Sequence, residues 1–587
     1  MATDVAFRIG GQAGQGIQTI SYVLGRTLTR AGYHVFASQD VMSRIRGGHN
    51  FADVRACDRP VAAQREKCDL LIALDEATIR EHRDRMVSTG ATVYDSKVNR
   101  NGDTMRNRVP IPGRNLCAMP LTEIAGRVGK EPRMRNSVAL GAVLSLTGHR
   151  LEPLLGVLRE QFAAKGSEIV SSNLACARAG FEFVRKEITK TCPCRLPGLS
   201  RPVPRRFMSG AEAVGLGAVL SGLQFYAGYP MSPSTPILEY VMARAREHGI
   251  VCEQSEDELS AINMAIGASV AGARAMTASS GGGFSLMVEG LSLAGMTETP
   301  VVIALCSRPG PATGLATRQA QADLLFALHA GHGEFNRVLF APGTAEQAFY
   351  QTNRAFDLAE KYQVPAILLL DQHINESYWT VEALDESRLK RERYLADPSG
   401  MAPYRYQRYS LANDSASPLP GIVTPMLRPG SPNQVRCDDS DEHTEEGHIT
   451  ESAGVRRAMV AKRLGKAGSI GIELSGPECY PAEPARTTVL CFGSTFGVVR
   501  EAVDRLREQG ASVAMMHLSE LAPFPRAAVL ARLGRAKRVI TLENNATAQL
   551  ARLVTTETRL RVHDSILKYD GRPFRIEETL AELEKQV

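Results

Sequence analysis

Short apolar runs alternate with helical stretches at the start of the chain. Residues 5–9 form one run, residues 15–29 follow a helical pattern, and residues 34–37 form a second run. A strand, a helix and a second strand in this order predict a βαβ unit, which belongs to a parallel sheet with helices on its faces.

The same alternation returns twice further along the chain. Residues 207–380 alternate strand-like runs with Ala-rich helices, which predicts a second, doubly wound sheet. A third unit begins at residue 487, with strands predicted at 487–491, 512–516 and 538–542 and a helix at 497–509. The fold class is therefore multi-domain α/β.

These patterns divide the chain into five segments. They are an α/β domain at 1–190, a Pro- and Arg-containing linker at 191–206, an α/β domain at 207–385, a polar and irregular connecting segment at 386–485, and a C-terminal α/β domain at 486–587.

Composition narrows the class of protein. The chain has 587 residues, of which 44% are hydrophobic and 22% charged, as in ordinary globular proteins. The net charge of +6 is spread along the sequence, and the single Trp is not part of an aromatic–basic pattern, so no nucleic-acid partner is predicted. No apolar run approaches the length of a membrane span, and no signal peptide is visible. We expect a cytoplasmic protein.

The cysteines add a negative expectation. Eleven is an odd number, and their spacing shows no paired framework, as expected in a reducing compartment. Cys192 and Cys194 are close in sequence, but no Cys-x-x-Cys pair occurs, which argues against an iron–sulfur cluster held by this chain alone. We interpret this pair as incidental to the linker, with a redox or metal role as the alternative.

The stretch Gly228-Tyr-Pro-Met-Ser-Pro-Ser-Thr235 is the most informative part of the sequence. Pro230 and Pro233 bracket Ser232, and proline fixes φ and interrupts a helix or a central strand. The stretch predicts a stiff loop at the end of a strand that holds a hydroxyl group in place.

An acidic cluster, Glu253-Gln-Ser-Glu-Asp-Glu258, follows and leads into a run of small residues at 259–272. This order predicts a carboxylate at the start of a closely packed helix. By residue type alone, such a cluster is more typical of a solvated helix start.

These two segments resemble the pyrimidine-binding domain of the thiamine-dependent 2-oxoacid:ferredoxin oxidoreductases. The resemblance continues through Ser280-Gly-Gly-Gly-Phe-Ser-Leu-Met287, through Arg308-Pro-Gly-Pro-Ala-Thr-Gly-Leu-Ala-Thr317 and through residues 324–335. It covers nearly the whole chain and is greatest to the α subunit of the 2-oxoglutarate enzyme with a fused γ domain. It implies a γ-type domain first, a pyrimidine-binding domain at 207–385 and a transketolase-C-like domain at the C terminus.

The resemblance implies catalytic roles for two residues. Glu258 matches the glutamate beside N1′ of the aminopyrimidine, which favours its imino form, and Glu256 and Asp257 are the alternatives. Ser232 matches a loop threonine beside the substrate.

Further matches imply binding roles. Arg308 matches the arginine that binds the substrate carboxylate, for which the two parallel donors of a guanidinium are suited. Thr317 matches a threonine of the substrate pocket. The residues that match the cofactor-binding positions are Tyr229, Pro230, Glu258, Ser280 and Gly281.

The sequence departs from the family pattern at three positions. Met231, Ser232 and Gly282 stand where the family usually has Ile, Thr and Pro. These differences leave open a non-catalytic assembly subunit of the same fold.

The loop Gly10-Gly-Gln-Ala-Gly-Gln-Gly16 lies between a predicted strand and a helix start, a place that suits an anion. Its spacing is not G-x-G-x-x-G, so NAD is not predicted to bind, although Asp40 lies roughly where a ribose-binding acid would be. The resemblance to the γ domain suggests phosphate or coenzyme A contact at Gly11, Gly14 and Gly16, with tight-turn packing as the alternative. A basic stretch at 44–50 is interpreted as structural or interfacial.

No metal ligands are assigned to this chain. The Gly-Asp-Gly sequence that usually carries the Mg²⁺ of thiamine diphosphate does not occur. Residues 438–446 are interpreted as a solvated acidic loop, and His329 and His332 as structural.

The resemblance implies an α subunit that is active only with a β subunit. The β subunit would hold Mg²⁺ and a [4Fe–4S] cluster and share the thiamine diphosphate, in an (αβ)2 assembly. The reaction would be oxidative decarboxylation of a 2-oxoacid to the acyl-coenzyme A, with electrons passed to ferredoxin, or the reverse reaction, reductive carboxylation. The expected substrate is 2-oxoglutarate. Pyruvate, branched-chain and aryl-pyruvate substrates are the alternatives.

Overall fold

A computed structural model describes residues 3–43, 47–96, 115–188, 194–199, 203–412 and 423–587. The chain forms two compact units. The first comprises residues 1–208, 377–384 and 575–583, and the second comprises residues 209–376, 385–574 and 584–587. Within the described ranges, no helix is both long enough and apolar enough to cross a bilayer.

The first unit contains an eight-stranded sheet of order β6-β5-β4-β1-β3-β2-β14-β7. Its strands are β1 Asp4–Ala13, β2 His34–Asp40, β3 Gly47–Cys57, β4 Cys68–Ala73, β5 Met86–Asp95, β6 Asn115–Met119, β7 Arg206–Ser209 and β14 Tyr378–Val381. Its α-helices are Ile17–Arg30, Glu76–His82, Leu121–Gly129, Arg135–Leu146, Glu152–Phe162, Ser167–Glu187 and Ile576–Glu584, and its short 3-10 helices are Arg83–Arg85, Pro132–Met134 and Ala163–Lys165.

This sheet is mixed, so the expectation of a parallel sheet is only partly correct. β3 lies between β1 and β2 and is antiparallel to both. The apolar pattern does not reveal β3 because two of its buried residues are charged. Asp53 pairs with Arg8 at 2.6 Å, and Arg55 pairs with Asp4 at 2.8 Å, so the charges are compensated inside the sheet.

The second unit contains two sheets. The larger has the order β18-β12-β13-β11-β10-β8-β9, and the smaller has the order β15-β17-β16-β19-β20. The strands are β8 Phe225–Gly228, β9 Val251–Gln254, β10 Ala275–Ser279, β11 Val301–Ser307, β12 Val338–Phe340, β13 Pro365–Asp371, β15 Glu478–Tyr480, β16 Thr487–Cys491, β17 Val513–His517, β18 Glu520–Ala522, β19 Arg538–Glu543 and β20 Asp564–Leu567.

Helices cover both sheets of this unit. They are Gly210–Leu220, Thr235–His248, Glu258–Val270, Gly281–Met296, Leu324–His329, Ala345–Tyr362, Gln372–Glu376, Ala453–Glu473, Thr495–Glu508, Arg526–Leu533, Gln549–Thr558 and the 3-10 helix Glu386–Arg388. β8 to β13 are parallel where they pair, and one hydrophobic core includes residues of both sheets, such as Leu305 and Leu490. The doubly wound α/β prediction is confirmed.

The segment 386–485 is not irregular throughout, because it contains the 21-residue helix Ala453–Glu473. Its buried face carries Lys462, Arg463 and Lys466 together with Met459 and Ile470. Because three of the residues on the buried face are cations, the face lacks the helical repeat of apolar residues from which a helix is predicted. The sequence pattern therefore did not predict this helix.

Two smaller interpretations also change. The acids at 438–446 are not simply solvated, since Asp438 pairs with Arg436 at 2.7 Å and Glu442 pairs with Arg463 at 2.9 Å. Cys194 is disulfide-bonded rather than incidental, whereas the other nine cysteines that the structure describes are free thiols.

Candidate functional site

The residues of the candidate site follow four neighbouring parallel strands. β11, β10, β8 and β9 lie side by side in that order, and Arg308, Ser280, Tyr229 and the acidic cluster follow their carboxyl ends. Ligands of open parallel sheets bind outside this edge, so the order of the sheet brings these distant segments together.

The loop between β8 and the helix Thr235–His248 is short and closed by its own backbone. Met231 N donates to Tyr229 O at 2.9 Å, and Ser234 N donates to Met231 O at 2.9 Å. Tyr229, Pro230 and Ser232 are exposed. The predicted loop therefore presents the Ser232 side chain at the surface.

The three acids 256–258 have different environments. Glu256 is exposed, and the Asp257 carboxylate caps the following helix by accepting from Ser260 N at 2.8 Å. Glu258 is the first residue of that helix and is only 3% exposed. Burial of a carboxylate is costly unless a ligand or partner compensates it, so Glu258 is the acid of the three that the geometry favours for chemistry.

Glu258 is held from one side by the end of β10. Ser279 Oγ donates to Glu258 Oε1 at 2.7 Å. A Cβ at residue 283 would lie 2.0 Å from Ser279 Oγ and 2.2 Å from Glu258 Oε1, so only glycine leaves room for this hydrogen bond. No motif in the sequence assigned a role to Ser279 or Gly283, although the Gly-rich run after β10 is a signal of close backbone approach.

Ser280 and Gly281 lie next to this pair. Ser280 is buried, and its Oγ donates to the Met231 sulfur at 2.7 Å, which links the loop after β10 to the loop after β8. A Cβ at residue 281 would lie 2.6 Å from Asp323 Oδ2, whereas one at Gly282 would meet only Ala312 O at 3.7 Å. A lack of space for a side chain therefore does not explain why this chain has glycine at position 282.

Arg308 joins the loop after β8 to the loop after β11. Its Nη1 donates to Ser232 O at 2.7 Å, and its buried Nε has no hydrogen-bond partner among the residues that the structure describes. Burial lowers the pKa of Arg308, and the nearby Glu258 charge acts in the opposite direction. Arg308 thus keeps unused donor capacity beside Glu258. Thr317 is half-buried at the far end of the same loop.

The donor set fits one end of thiamine diphosphate. A buried carboxylate that accepts from one protein donor among the described residues, in a space cleared by Gly283, suits an aminopyrimidine that presents an N–H or protonated nitrogen. No group of three or more His, Cys, Asp or Glu side chains arranged to hold a metal occurs in the described ranges. The fit that these residues show is to the pyrimidine end of the cofactor.

The N-terminal glycines are placed differently from the prediction. Gly10 and Gly11 belong to β1, so the loop is shorter than expected and begins at Gly14. Gly14 and Gly16 have φ values of +89° and +80°, and a Cβ at Gly16 would lie 2.7 Å from Asn136 Nδ2. These two glycines are required by the turn itself.

A cavity of about 750 Å³ borders this turn inside the first unit. Gly14, Gln15 and Gly16 line it together with Glu131, Arg133, Arg135 and Lys165. The helix Ile17–Arg30 begins at the cavity without a side-chain cap in the described chain, whereas Arg135–Leu146 continues from the 3-10 helix Pro132–Met134 and its first N–H is bonded to Pro132 O. One free helix start and three cations against one carboxylate make this a place for an anionic ligand.

The remaining candidates lie apart from these groups. Asp40 ends β2, and the part of the basic stretch that the structure describes, 47–50, belongs to β3 and is not a loop. Residues 44–46 of that stretch, like Cys192, lie outside the described ranges. His329 and His332 are exposed, as a structural or surface role requires.

Three segments of the chain match family models. Residues 6–183 match the pyruvate ferredoxin/flavodoxin oxidoreductase family, and residues 216–462 match the thiamine diphosphate-binding domain of pyruvate flavodoxin/ferredoxin oxidoreductases. Residues 485–579 match core domain II of pyruvate:ferredoxin oxidoreductase.

Whole-chain relatives agree with these matches. The 2-oxoacid:ferredoxin oxidoreductase subunit alpha of a Sulfolobus species is 32% identical over 98% of this chain and 96% of its own length. The 2-oxoglutarate oxidoreductase subunit KorA of Mycobacterium tuberculosis is 28% identical over 98% of this chain and 90% of its own.

One solved structure has the same fold over the full length. It is the 2-oxoglutarate:ferredoxin oxidoreductase from Magnetococcus marinus with 2-oxoglutarate, coenzyme A and succinyl-CoA bound. It is 32% identical, the TM-score is 0.90, and the match covers 100% of this chain and 99% of that one.

Proposed function

The chain belongs to the 2-oxoacid:ferredoxin oxidoreductases as an α subunit, and from this premise we propose that Glu258, Ser232 and Arg308 form its half of a shared active site. The observation that carries the proposal is the burial of Glu258 with one donor among the described residues, beside an arginine whose Nε has no partner among them. The reaction of the family is oxidative decarboxylation of a 2-oxoacid to the acyl-coenzyme A with ferredoxin as acceptor.

Each residue has a defined task in this proposal. Glu258 accepts a hydrogen bond from the aminopyrimidine, with Ser279 fixing the carboxylate. Arg308 binds the substrate carboxylate, Ser232 offers its exposed hydroxyl beside it, and Thr317 lines the pocket. Tyr229, Pro230, Ser280 and Gly281 shape the wall that meets the cofactor. Thiamine diphosphate, when bound, supplies carbanion stabilisation that no side chain provides.

The other half of the site is proposed to come from a β subunit that holds Mg²⁺ and a [4Fe–4S] cluster. Exposed apolar side chains support a covering partner, since they lie on the loop and helices that border Glu258. They are Tyr229 39%, Met242 47%, Leu259 43%, Met264 41% and Leu286 46% exposed. Covering these side chains with a partner would remove their apolar surface from water, which is favourable. An (αβ)2 assembly in the cytoplasm, with ferredoxin as electron acceptor, belongs to the same proposal.

Coenzyme A is proposed to use the cavity beside Gly14 and Gly16. The uncapped start of the helix Ile17–Arg30 and the cations Arg133, Arg135 and Lys165 suit the phosphates of that cosubstrate. Titration calorimetry on the full chain should show weaker coenzyme A binding for Arg135→Ala than for the wild type, and no micromolar binding of NAD. Equal binding by the variant would remove the cavity from the proposal.

2-Oxoglutarate is the proposed substrate, because relatives that match most of this chain act on it by name. The test is dye reduction by the complex co-purified with its β subunit, measured with 2-oxoglutarate, pyruvate, a branched-chain 2-oxoacid and an aryl-pyruvate in turn. The highest kcat/KM is expected for 2-oxoglutarate, and preference for another acid would replace it. Absence of activity with every acid would favour a non-catalytic subunit.

A further inference from the structure

The loop that carries Arg308 and Thr317 is exposed in its middle and fixed at both ends. Residues 310–315 are exposed, whereas Ser307 before the loop and Gln319 after it are 1% and 2% exposed. Inside the loop, Leu315 N donates to Pro309 O at 3.0 Å. β11 holds the first end, so the position of Thr317 depends on what holds the second end.

Gln321 binds the C-terminal sheet with its backbone and both ends of its side chain. Its backbone N donates to Asn544 O at 2.7 Å, and its Nε2 donates to Phe492 O at 2.8 Å. Its Oε1 accepts from Asn544 N at 3.1 Å. Phe492 follows β16 and Asn544 follows β19, so Gln321 bridges two adjacent strand ends of that sheet.

Two more glutamines complete the attachment. Gln319 Nε2 donates to Ser494 Oγ at 3.0 Å, and Gln319 N donates to Gly571 O at 3.2 Å. From the C-terminal region, Gln549 Nε2 donates to Ala322 O at 2.7 Å and Gln549 Oε1 accepts from Leu325 N at 3.0 Å. We call Gln319, Gln321 and Gln549 the glutamine clamp.

The clamp is well suited to hold a loop in one conformation. Gln319 and Gln321 are 2% and 3% exposed, and the three amides are bonded at both their donor and acceptor ends. Truncating Gln321 leaves the buried Phe492 C=O and Asn544 N–H without the partners that its amide supplies, which is costly. The clamp begins two residues after Thr317, so movement there reaches the substrate loop directly.

We propose that the C-terminal sheet positions the substrate loop through the glutamine clamp, and that Gln321 is a positioning residue for 2-oxoacid binding. This gives residues 485–574 a part in substrate affinity although none of the predicted site residues lies there. The proposal rests on the proposed function of Arg308 and Thr317.

The test compares Gln321→Ala with Gln347→Ala in the assembled complex. Gln347 is a matched control, because its side chain also joins the two sheets of this unit, through Gly343 N at 2.7 Å and Glu478 Oε2 at 2.9 Å, but away from the loop. Gln321→Ala should raise the KM for the 2-oxoacid roughly tenfold with little change in the KM for coenzyme A. Gln347→Ala should change neither value.

Hydrogen–deuterium exchange of peptide 309–318 gives a second readout that does not depend on turnover. Exchange should be faster in Gln321→Ala and unchanged in Gln347→Ala. Gln549→Ala, at a partly exposed position, supplies the same comparison if Gln321→Ala does not fold. Unchanged exchange in the clamp variants would overturn the proposal.

Arg308→Ala separates this proposal from the proposed function. It should raise the KM without altering exchange at the second end of the loop, residues 315–318, because the hydrogen bond that it removes, to Ser232 O, holds only the first end. If Arg308→Ala leaves the KM unchanged, the carboxylate site is wrong, and the exchange result still decides whether the clamp holds the loop.

Discussion

Two buried glutamates of the second unit have opposite surroundings. Glu298 is 1% exposed and both its carboxylate oxygens contact Lys462 Nζ at 2.6 Å, while Lys466 and Arg408 also contact the residue. Glu258 is 3% exposed and accepts one hydrogen bond, from Ser279, in the described part of the chain. Two glutamates of similar burial therefore differ in their surroundings. Cations neutralise the charge of Glu298, whereas the Glu258 carboxylate accepts one hydrogen bond from the described residues.

This difference separates a structural group from a functional one. Burial alone would raise the pKa of Glu298, but the attraction of Lys462, Lys466 and Arg408 holds that pKa below its ordinary value. The cluster is complete within the chain and fastens the helix Ala453–Glu473 to the domain. Among the described residues, no cation is bonded to the Glu258 carboxylate, so its burial is best explained by another molecule that completes the site.

The largest effect is expected at Glu258. Glu258→Gln keeps the shape but removes the charge, so the complex should bind thiamine diphosphate yet lose about 10²–10⁴-fold in turnover and in exchange of its C2 proton. Glu256→Gln is the control, because Glu256 is exposed, and it should behave as the wild type. Normal exchange in Glu258→Gln would move the role to Glu256 or Asp257.

The contrasting variant is Glu298→Gln, which should affect stability instead of chemistry. Removing the carboxylate leaves Lys462 and Lys466 without their acidic partner, so the free energy of unfolding should fall by about 3–5 kcal/mol. Glu160 is a surface counterpart that pairs with Arg26 and Arg30, and Glu160→Gln should cost no more than about 1 kcal/mol. Chemical denaturation of both variants checks this. Equal losses of free energy of unfolding in the two variants would show that the buried cluster stabilises the protein no more than the surface pair does.

Arg308→Ala should weaken substrate binding. Truncating one partner of a desolvated charge pair costs about 2–5 kcal/mol, which here should appear as a higher KM for the 2-oxoacid. Steady-state kinetics with varied 2-oxoacid measures it, and the KM for coenzyme A is the internal control. An unchanged KM for the 2-oxoacid would indicate that the partner subunit, and not Arg308, binds the substrate carboxylate.

The pH dependence of stability should report the excess of cations around Glu298. Burial lowers the pKa of Lys466 to about 7. A lysine whose folded pKa lies below its unfolded value binds more protons when unfolded, so stability rises with pH above 7. Relative to Lys466→Met, the wild type should gain up to about 2 kcal/mol between pH 7 and 9 in urea denaturation. A constant difference between the two proteins across this range would contradict the assignment.

The structure brings together the short motifs from which the sequence predicted a site. The Tyr-Pro loop, the acidic helix start and Arg308 fall at adjacent strand ends, because a doubly wound sheet places such loops together. Ser279 and Gly283 were not predicted, since their importance arises only when a strand end packs against the start of a helix. The glutamine clamp was missed for the same reason, as its partners lie more than 150 residues away along the chain.

The missed elements share a physical cause. β3 and the helix Ala453–Glu473 bury Asp53, Arg55, Lys462 and Lys466, each compensated by an ion pair. Patterns of apolar residues cannot identify a buried face whose charges are neutralised by distant residues. The start of the antiparallel strand was therefore interpreted as part of a basic loop at 44–50, and the basic helix as part of the irregular connecting segment at 386–485.

The central claim is that this chain holds only the pyrimidine half of a thiamine site. Titration calorimetry with thiamine diphosphate and Mg²⁺ tests it most directly, first on this chain alone and then on the complex with its β subunit. The account predicts weak or undetectable binding by the colourless chain alone. The brown complex should retain the cofactor and show 2-oxoacid-dependent dye reduction. Tight cofactor binding and activity in a preparation of this chain alone would contradict the account.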